Sequence, residues 1–140
     1  MTTAVEDLMS SPPVTCPADA SLTEATSLMD RGRIGSVVVT DGSTVLGILT
    51  ERDILDSVAA GEDPEAELAG EHRTEDLTFA SPDWTLEQAA AAMIKGGFRH
   101  LVVLEGHDVA GLLSMRDIVR CWTGAEVPAS AGPRAVTTQA

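Results

Sequence analysis

The apolar positions of this chain follow one period, switch to another, and then repeat the whole pattern. In ASLTEATSLMDRG, residues 20–32, Leu22, Ala25, Leu28 and Met29 lie three and four apart, the spacing of one helical face. Ser21 precedes that face with Glu24 three positions on, a pairing that caps a helix start, and Gly32 follows as a stop. Two short aliphatic runs come next, SVVVTD and TVLGILT, separated around Asp41-Gly42-Ser43 as in a β-hairpin. ERDILDSVAA then returns to helical spacing. The predicted order is strand, helix, hairpin, helix.

That order occurs twice. Residues 20–55 slide onto 84–119 without a gap. Leu22 falls on Leu86, Ala25 on Ala89, Met29 on Met93 and Gly32 on Gly96. Further along, Val38-Val39 falls on Val102-Val103, Gly42 on Gly106, Gly47 on Gly111, and Arg52-Asp53-Ile54 on Arg116-Asp117-Ile118. The second helix has Thr85 as cap, Gln88 as its partner and Gly96-Gly97 as stop. A unit of this kind holds a three-stranded sheet and cannot cover both of its faces, whereas two units can pack sheet against sheet. The expected fold class is α/β (α+β): two β-α-β-β-α repeats with pseudo-two-fold symmetry. Residues 4–60 form the first, 61–73 a linker with a turn of helix at Pro64–Ala69, and 74–123 the second. Residues 124–140 lack periodicity and read as a disordered tail.

Composition narrows the function. The 140 residues are 44% apolar, with no Tyr, so the core is aliphatic. Nine basic residues against 22 acidic ones give a net charge of −13, which excludes nucleic-acid and anionic-membrane binding for want of a positive stripe. GC-rich coding and a high-salt cytoplasm both account for the acids, the latter because a Debye length of roughly 3 Å at molar salt screens their repulsion. The longest apolar runs, such as 45–49, are far too short to cross a bilayer, and the acidic N-terminus is no secretory signal. Cys16 and Cys121 are isolated, as expected of reduced thiols in a cytoplasmic protein. The three His residues show no metal-ligand spacing, and His72 and His107 read as surface residues. Neither a metal site nor a catalytic constellation is expected, and the chain does not read as an enzyme.

One motif carries candidate chemistry. GILTERD at 47–53 and GLLSMRD at 111–117 place a hydroxyl, Thr50 or Ser114, three residues before Asp53 or Asp117. Helix-start amides and a hydroxyl suit a phosphate, and a carboxylate suits the paired donors of a ribose diol. The plainer reading makes each Asp a partner of the helix dipole. Arg52 and Arg116 read as solvated or salt-bridged, and Met29 and Met93 as core or interface. Gly47 and Gly111 mark a bulge or a close backbone approach.

The two segments, VEDLMSSPPVTC through ERDIL and TEDLTFASPDW through MRDIV, resemble the cystathionine-β-synthase (CBS) domain. Their pairing resembles a Bateman module over about residues 4–122. The resemblance implies that the Asp holds ribose hydroxyls while adenine enters the cleft between repeats. It combines Thr50 and Asp53 with Leu77, Thr78, Arg99 and His100 in one cleft, and Ser114 and Asp117 with Val14, Thr15, Gly35 and Ser36 in the other. Arg99 is the asymmetric phosphate clamp, so the Asp53 cleft is expected to prefer the more highly charged nucleotide; His100 also reads as a structural hydrogen-bonding residue. Many relatives have Pro where this chain has Val38 and Val102, which puts that cleft wall in question. The implied function is regulatory sensing of AMP, ADP, ATP or S-adenosylmethionine, with no cofactor required. The resemblance also implies a homodimer, with Ala89–Ala92 suited to close helix packing, and a protein target of unknown identity. The rival is a ligand-free dimerisation or scaffold module.

Overall fold

The computed structural model describes residues 3–123, so the tail expected at 124–140 lies outside the described residues. The first repeat comprises α1 (Val5–Leu8), β1 (Thr15–Pro17), α2 (Leu22–Gly32), β2 (Ser36–Asp41), β3 (Thr44–Thr50) and α3 (Glu51–Ala59). The second comprises α4 (Ala69–His72), β4 (Phe79–Ala80), α5 (Leu86–Gly96), β5 (His100–Glu105), β6 (Asp108–Ser114) and α6 (Met115–Thr123). Each repeat forms a sheet of order β1-β2-β3 or β4-β5-β6, with a parallel first pair and an antiparallel hairpin. The expected helix caps are present: Ser21 with Glu24 and Thr85 with Gln88 bond reciprocally. The first helix stops on Arg33, held at φ 54°, rather than on Gly32. Gly42 and Gly106 take positive φ at the hairpin turns.

Side-chain alternation divides the chain among three apolar layers. Val37, Val39 and Leu49 point to the helices of the first repeat, and Leu101, Val103 and Leu113 to those of the second. Val38, Ile48, Val102 and Leu112 face the other way and form the layer between the sheets. A register shift opposite Val39-Thr40 leaves Leu46 as an extra residue in β3, and the same shift recurs in β6. Consequently Val45 and Ile48, three apart, share the inter-sheet face that strict alternation would deny them.

The turn of helix expected at Pro64–Ala69 is a hydrogen-bonded turn in which Ala66 and Glu67 donate to the Asp63 carbonyl, whereas the short helices α1 and α4 had no place in the sequence-based order. They also cross over. Val5 of α1 is buried in the core of the second repeat, and Ala69 of α4 in the core of the first. The segment expected to be a linker, 61–73, therefore contains an element packed on α3, β1 and β3. Beyond each short helix the chain pairs with the far repeat's edge strand. Ser10 and Leu112 exchange two backbone hydrogen bonds of 2.8 and 3.1 Å, and Thr74 and Ile48 exchange two of 2.7 and 3.1 Å.

Gly47 and Gly111 make this pairing possible. A Cβ on Gly47 would lie 2.4 Å from the Thr74 carbonyl oxygen, and one on Gly111 2.5 Å from that of Ser10. Gly47→Ala and Gly111→Ala are each expected to lower stability by roughly 1–3 kcal/mol, as overpacking against backbone does. Urea denaturation checks this, and an unchanged midpoint would show that the crossing segments do not bear on these sites.

Candidate functional site

The hydroxyl and the carboxylate of each repeated motif first satisfy one another. Thr50 and Ser114 end their strands and precede α3 and α6. The Thr50 N–H donates to Asp53 Oδ2 at 2.9 Å, and the Asp53 N–H donates to Thr50 Oγ1 at 3.2 Å. Ser114 and Asp117 repeat this at 2.8 and 3.2 Å. Each hydroxyl also donates to the same Oδ2 at 3.0 Å. The next amides are used as well: Glu51 donates to the Gly35 carbonyl at 3.0 Å and Met115 to that of Arg99 at 2.8 Å. The free helix-start amides expected from sequence are thus largely consumed. Among the described residues, those left to face an anion narrow to Arg52 and Arg116.

The two carboxylates differ in what remains to them. The Thr74 hydroxyl lies 3.2 and 3.3 Å from the two oxygens of Asp53. Its counterpart 64 positions earlier is Ser10, and among the described residues Asp117 Oδ1 accepts no hydrogen bond.

Polar contacts group the other candidate residues by repeat. Ser36, 4% exposed, pairs with Thr50 across β2–β3, and His100 pairs with Ser114 across β5–β6. Gly35 and Arg99 occupy equivalent positions, and the Arg99 side chain is exposed. The Val14 and Thr78 carbonyls accept from the N–H groups of Val38 and Val102, the positions where the resemblance implies Pro, at 3.0 Å. That bond needs the N–H that Pro lacks. It leaves each carbonyl one further lone pair. The register makes Thr78 the counterpart of Val14 and Phe79 that of the exposed Thr15, at the same 64-position offset as the rest of the duplication. Leu77 packs on the inter-sheet layer.

Besides Thr74 on Asp53, contact across the repeats comes through a residue that the motif reading passed over. Glu51, opposite Met115 in the duplication, approaches Arg116 Nη2 to 3.8 Å, and a Cβ on Gly35 would meet its carboxylate at 2.8 Å. Both charged side chains are more than half exposed, so the pair adds little stability. It does make the cleft mouth electrostatically unequal: Gly35 and Glu51 on one side, Arg99 and Met115 on the other.

Other side chains depart from expectation or follow it. His72 is not a plain surface residue: its Nε2 lies 2.7 Å from Glu67 Oε1, with the side chain 20% exposed. The signal was present as Glu and His five apart in a connecting segment. Cys16 is buried and unpaired, and its thiol is pushed up by burial first and then by Glu24 and Asp19. Of Ala89–Ala92, Ala89 faces its own core and Ala91 is exposed. Two surface cavities, of about 500 and 570 Å³, lie on the outer helices, the larger between α2 and α3 against Met29, Ile34, Leu55 and Val58. Among the described residues no helix is long and apolar enough to cross a membrane.

His100 has a titration consequence. Burial holds its imidazole below the ordinary 6.5; Asp117 opposes that, Arg116 reinforces it, Glu51 opposes it and Arg99 reinforces it. The folded state therefore keeps His100 neutral where the unfolded chain takes a proton. Its contribution to stability is full above pH 6.5 and is lost as pH falls from there through the folded-state value. Thermal midpoints measured between about pH 7.5 and 5.5 should fall more steeply for the parent than for His100→Asn. Parallel curves would mean that His100 does not carry the difference.

Comparisons with known proteins agree with this architecture. The CBS domain family matches residues 5–60 and 69–124. The second match begins at α4, the helix that corresponds to α1. The chain is 28% identical over 116 residues to the CBS domain-containing protein YhcV of Bacillus subtilis, covering 82% of each protein. Among solved structures, the CBS-domain protein ATU1752 of Agrobacterium tumefaciens is 34% identical with a TM-score of 0.76, covering 87% of this chain and 95% of that one. The CBS domain pair of protein MJ0100, solved in complex with 5'-methylthioadenosine and S-adenosyl-L-methionine, is 25% identical with a TM-score of 0.79, covering 90% of this chain and all of that one. With two matched domains, their sheets face to face and their capping motifs in register, this chain belongs to the CBS-domain family as a tandem pair.

Proposed function

We propose that this chain is a regulatory module that takes an adenosine-containing small molecule into the clefts between its repeats and responds through its shape or its packing with a second copy. Family membership supports that class of function, as does the MJ0100 pair with its two adenosine ligands. The observation that carries the reading for this chain is Asp117. One of its oxygens closes the helix cap, and the other has no partner among the described residues. A ribose diol presents donors of the kind that such an oxygen accepts. The candidate ligands are AMP, ADP, ATP and S-adenosylmethionine, with no further cofactor. Arg99 is the residue that would distinguish a phosphate from an uncharged or cationic group, and the protein target is unnamed. The scaffold reading keeps support of its own, because the reciprocal cap accounts for Thr50-Asp53 and Ser114-Asp117 without any ligand.

Thermal unfolding against the four compounds separates these readings. A ligand at about 100 times its Kd stabilises by about 2.7 kcal/mol. Asp117→Asn retains an acceptor for the cap while turning the other oxygen into a donor. If that oxygen holds ribose, the substitution weakens binding at least about tenfold, since a charge-assisted bond contributes roughly 1.5–3 kcal/mol and 1.4 kcal/mol is a decade. The unliganded midpoint should move little. A parent whose midpoint responds to none of the four is a scaffold.

A homodimer is part of the proposal, and its support is an apolar surface that obeys the duplication. Leu55 and Val119, 64 positions apart, are 58% and 48% exposed, and Val58 and Trp122, likewise 64 apart, are 50% and 59% exposed. These side chains stand on α3 and α6, each repeat contributing the same positions. Such a face, wide and apolar on a strongly acidic protein, is of the kind covered in an assembly. Trp122→Glu is expected to give a monomer by light scattering at concentrations where the parent is a dimer. A parent that is itself monomeric overturns the assignment.

A further inference from the structure

The segment joining the repeats gathers three groups of metal-ligating type, none of them part of the repeated hydroxyl-carboxylate motifs. Glu62 follows α3, Glu67 precedes α4 and His72 ends it. His72 Nε2 lies 2.7 Å from Glu67 Oε1 and 3.8 Å from Glu62 Oε1, and one ligand atom from each residue falls within 4.8 Å of the others. A tetrahedral ion with bonds of ~2.05 Å holds its ligand atoms about 3.3 Å apart. The two His72 distances bracket that value, and the two carboxylate oxygens lie within 4.8 Å of each other.

Charge, support and symmetry point the same way. Among the described residues, His72 is the basic group that lies within 4 Å of either carboxylate. Ser57, only 2% exposed, donates its hydroxyl to Glu62 Oε1 at 2.6 Å, an outer contact that fixes the orientation of a ligand. The ligand-bearing backbone is already held to the first repeat: Leu22 donates to the Glu67 carbonyl at 3.0 Å, and Ala69 to that of Ala20 at 2.7 Å. The duplicated scaffold provides a control. At the matching places of the other half stand Cys121 for Ser57, Thr3 for Glu67 and Leu8 for His72. Glu67 and His72 are therefore replaced at the matching places of the other half, so the fold does not itself require an acid and an imidazole at 67 and 72.

The geometry points to a divalent-cation site formed by Glu62, Glu67 and His72, suited to a zinc-class ion with a fourth position open to water or another ligand. A mixed imidazole and carboxylate set suits zinc, whereas magnesium and calcium prefer oxygen alone. The bound ion ties the end of α3 to the start of the second repeat, and so bears on the segment that crosses over the first sheet. This site stands independently of any adenosine ligand.

Full-length protein freed of metal by a chelator would be titrated with Zn²⁺ by calorimetry. Co²⁺ absorption would report tetrahedral geometry. The expected result is one ion per chain and slower hydrogen exchange across residues 62–72 in its presence. Glu67→Gln and His72→Gln should each weaken binding about 10–100-fold, while Cys121→Ser leaves it intact. Should either variant fail to fold, Glu62→Gln, on an exposed residue, replaces it. Absence of Zn²⁺ uptake by the parent up to millimolar concentration overturns the site. So does uptake unchanged in the ligand variants, or uptake lost in Cys121→Ser.

Discussion

The constraint on which this structure depends is the open edge of a three-stranded sheet. Each repeat ends its sheet on a hairpin strand, β3 or β6, whose outer backbone groups need partners. The partner comes from the other repeat: Thr74 on Ile48 and Ser10 on Leu112, each through a reciprocal pair of backbone hydrogen bonds. Reaching that edge carries a short helix across the molecule, so Val5 fills one core and Ala69 the other. The exchange makes the two repeats one folding unit. It also explains why Gly occupies 47 and 111, where a Cβ would strike the incoming carbonyl.

The crossing has a consequence for the clefts. Thr74 arrives as part of the exchanged segment, and its hydroxyl reaches the Asp53 carboxylate; the equivalent Ser10 makes no such bond to Asp117 among the described residues. An interaction that closes a sheet edge thereby differentiates two carboxylates that the duplication made alike. Glu51 facing Arg116, and Gly35 standing where the second repeat has Arg99, extend that inequality to the mouth of the site. Each Asp serves folding first, because strand-to-helix turns leave amides that must be capped. Ligand chemistry is available only to the atoms that remain.

The connecting segment shows the same division between scaffold and specialisation. Its backbone holds α4 against the first repeat, as the N-terminal segment holds α1 against the second. Its side chains depart from that symmetry, bringing Glu62, Glu67 and His72 together, whereas Thr3 and Leu8 stand at the places that match Glu67 and His72.

The sequence by itself determined whatever depends on neighbours a few residues away. The duplication, the caps at Ser21 and Thr85, the hairpins turning at Gly42 and Gly106, and the strand-to-helix passage at Thr50 and Ser114 were all legible, because each rests on local hydrogen bonds or on side-chain period. Sheet-to-sheet packing was legible too, since β-runs apolar on both faces leave one face to bury. Tertiary structure decided the rest. Short helices of four residues carry no periodic signal, so α1 and α4 and their crossing were invisible. Whether a given Asp oxygen stays unpaired, or a His meets two carboxylates, depends on chain segments folding onto one another, and no local pattern encodes that distance.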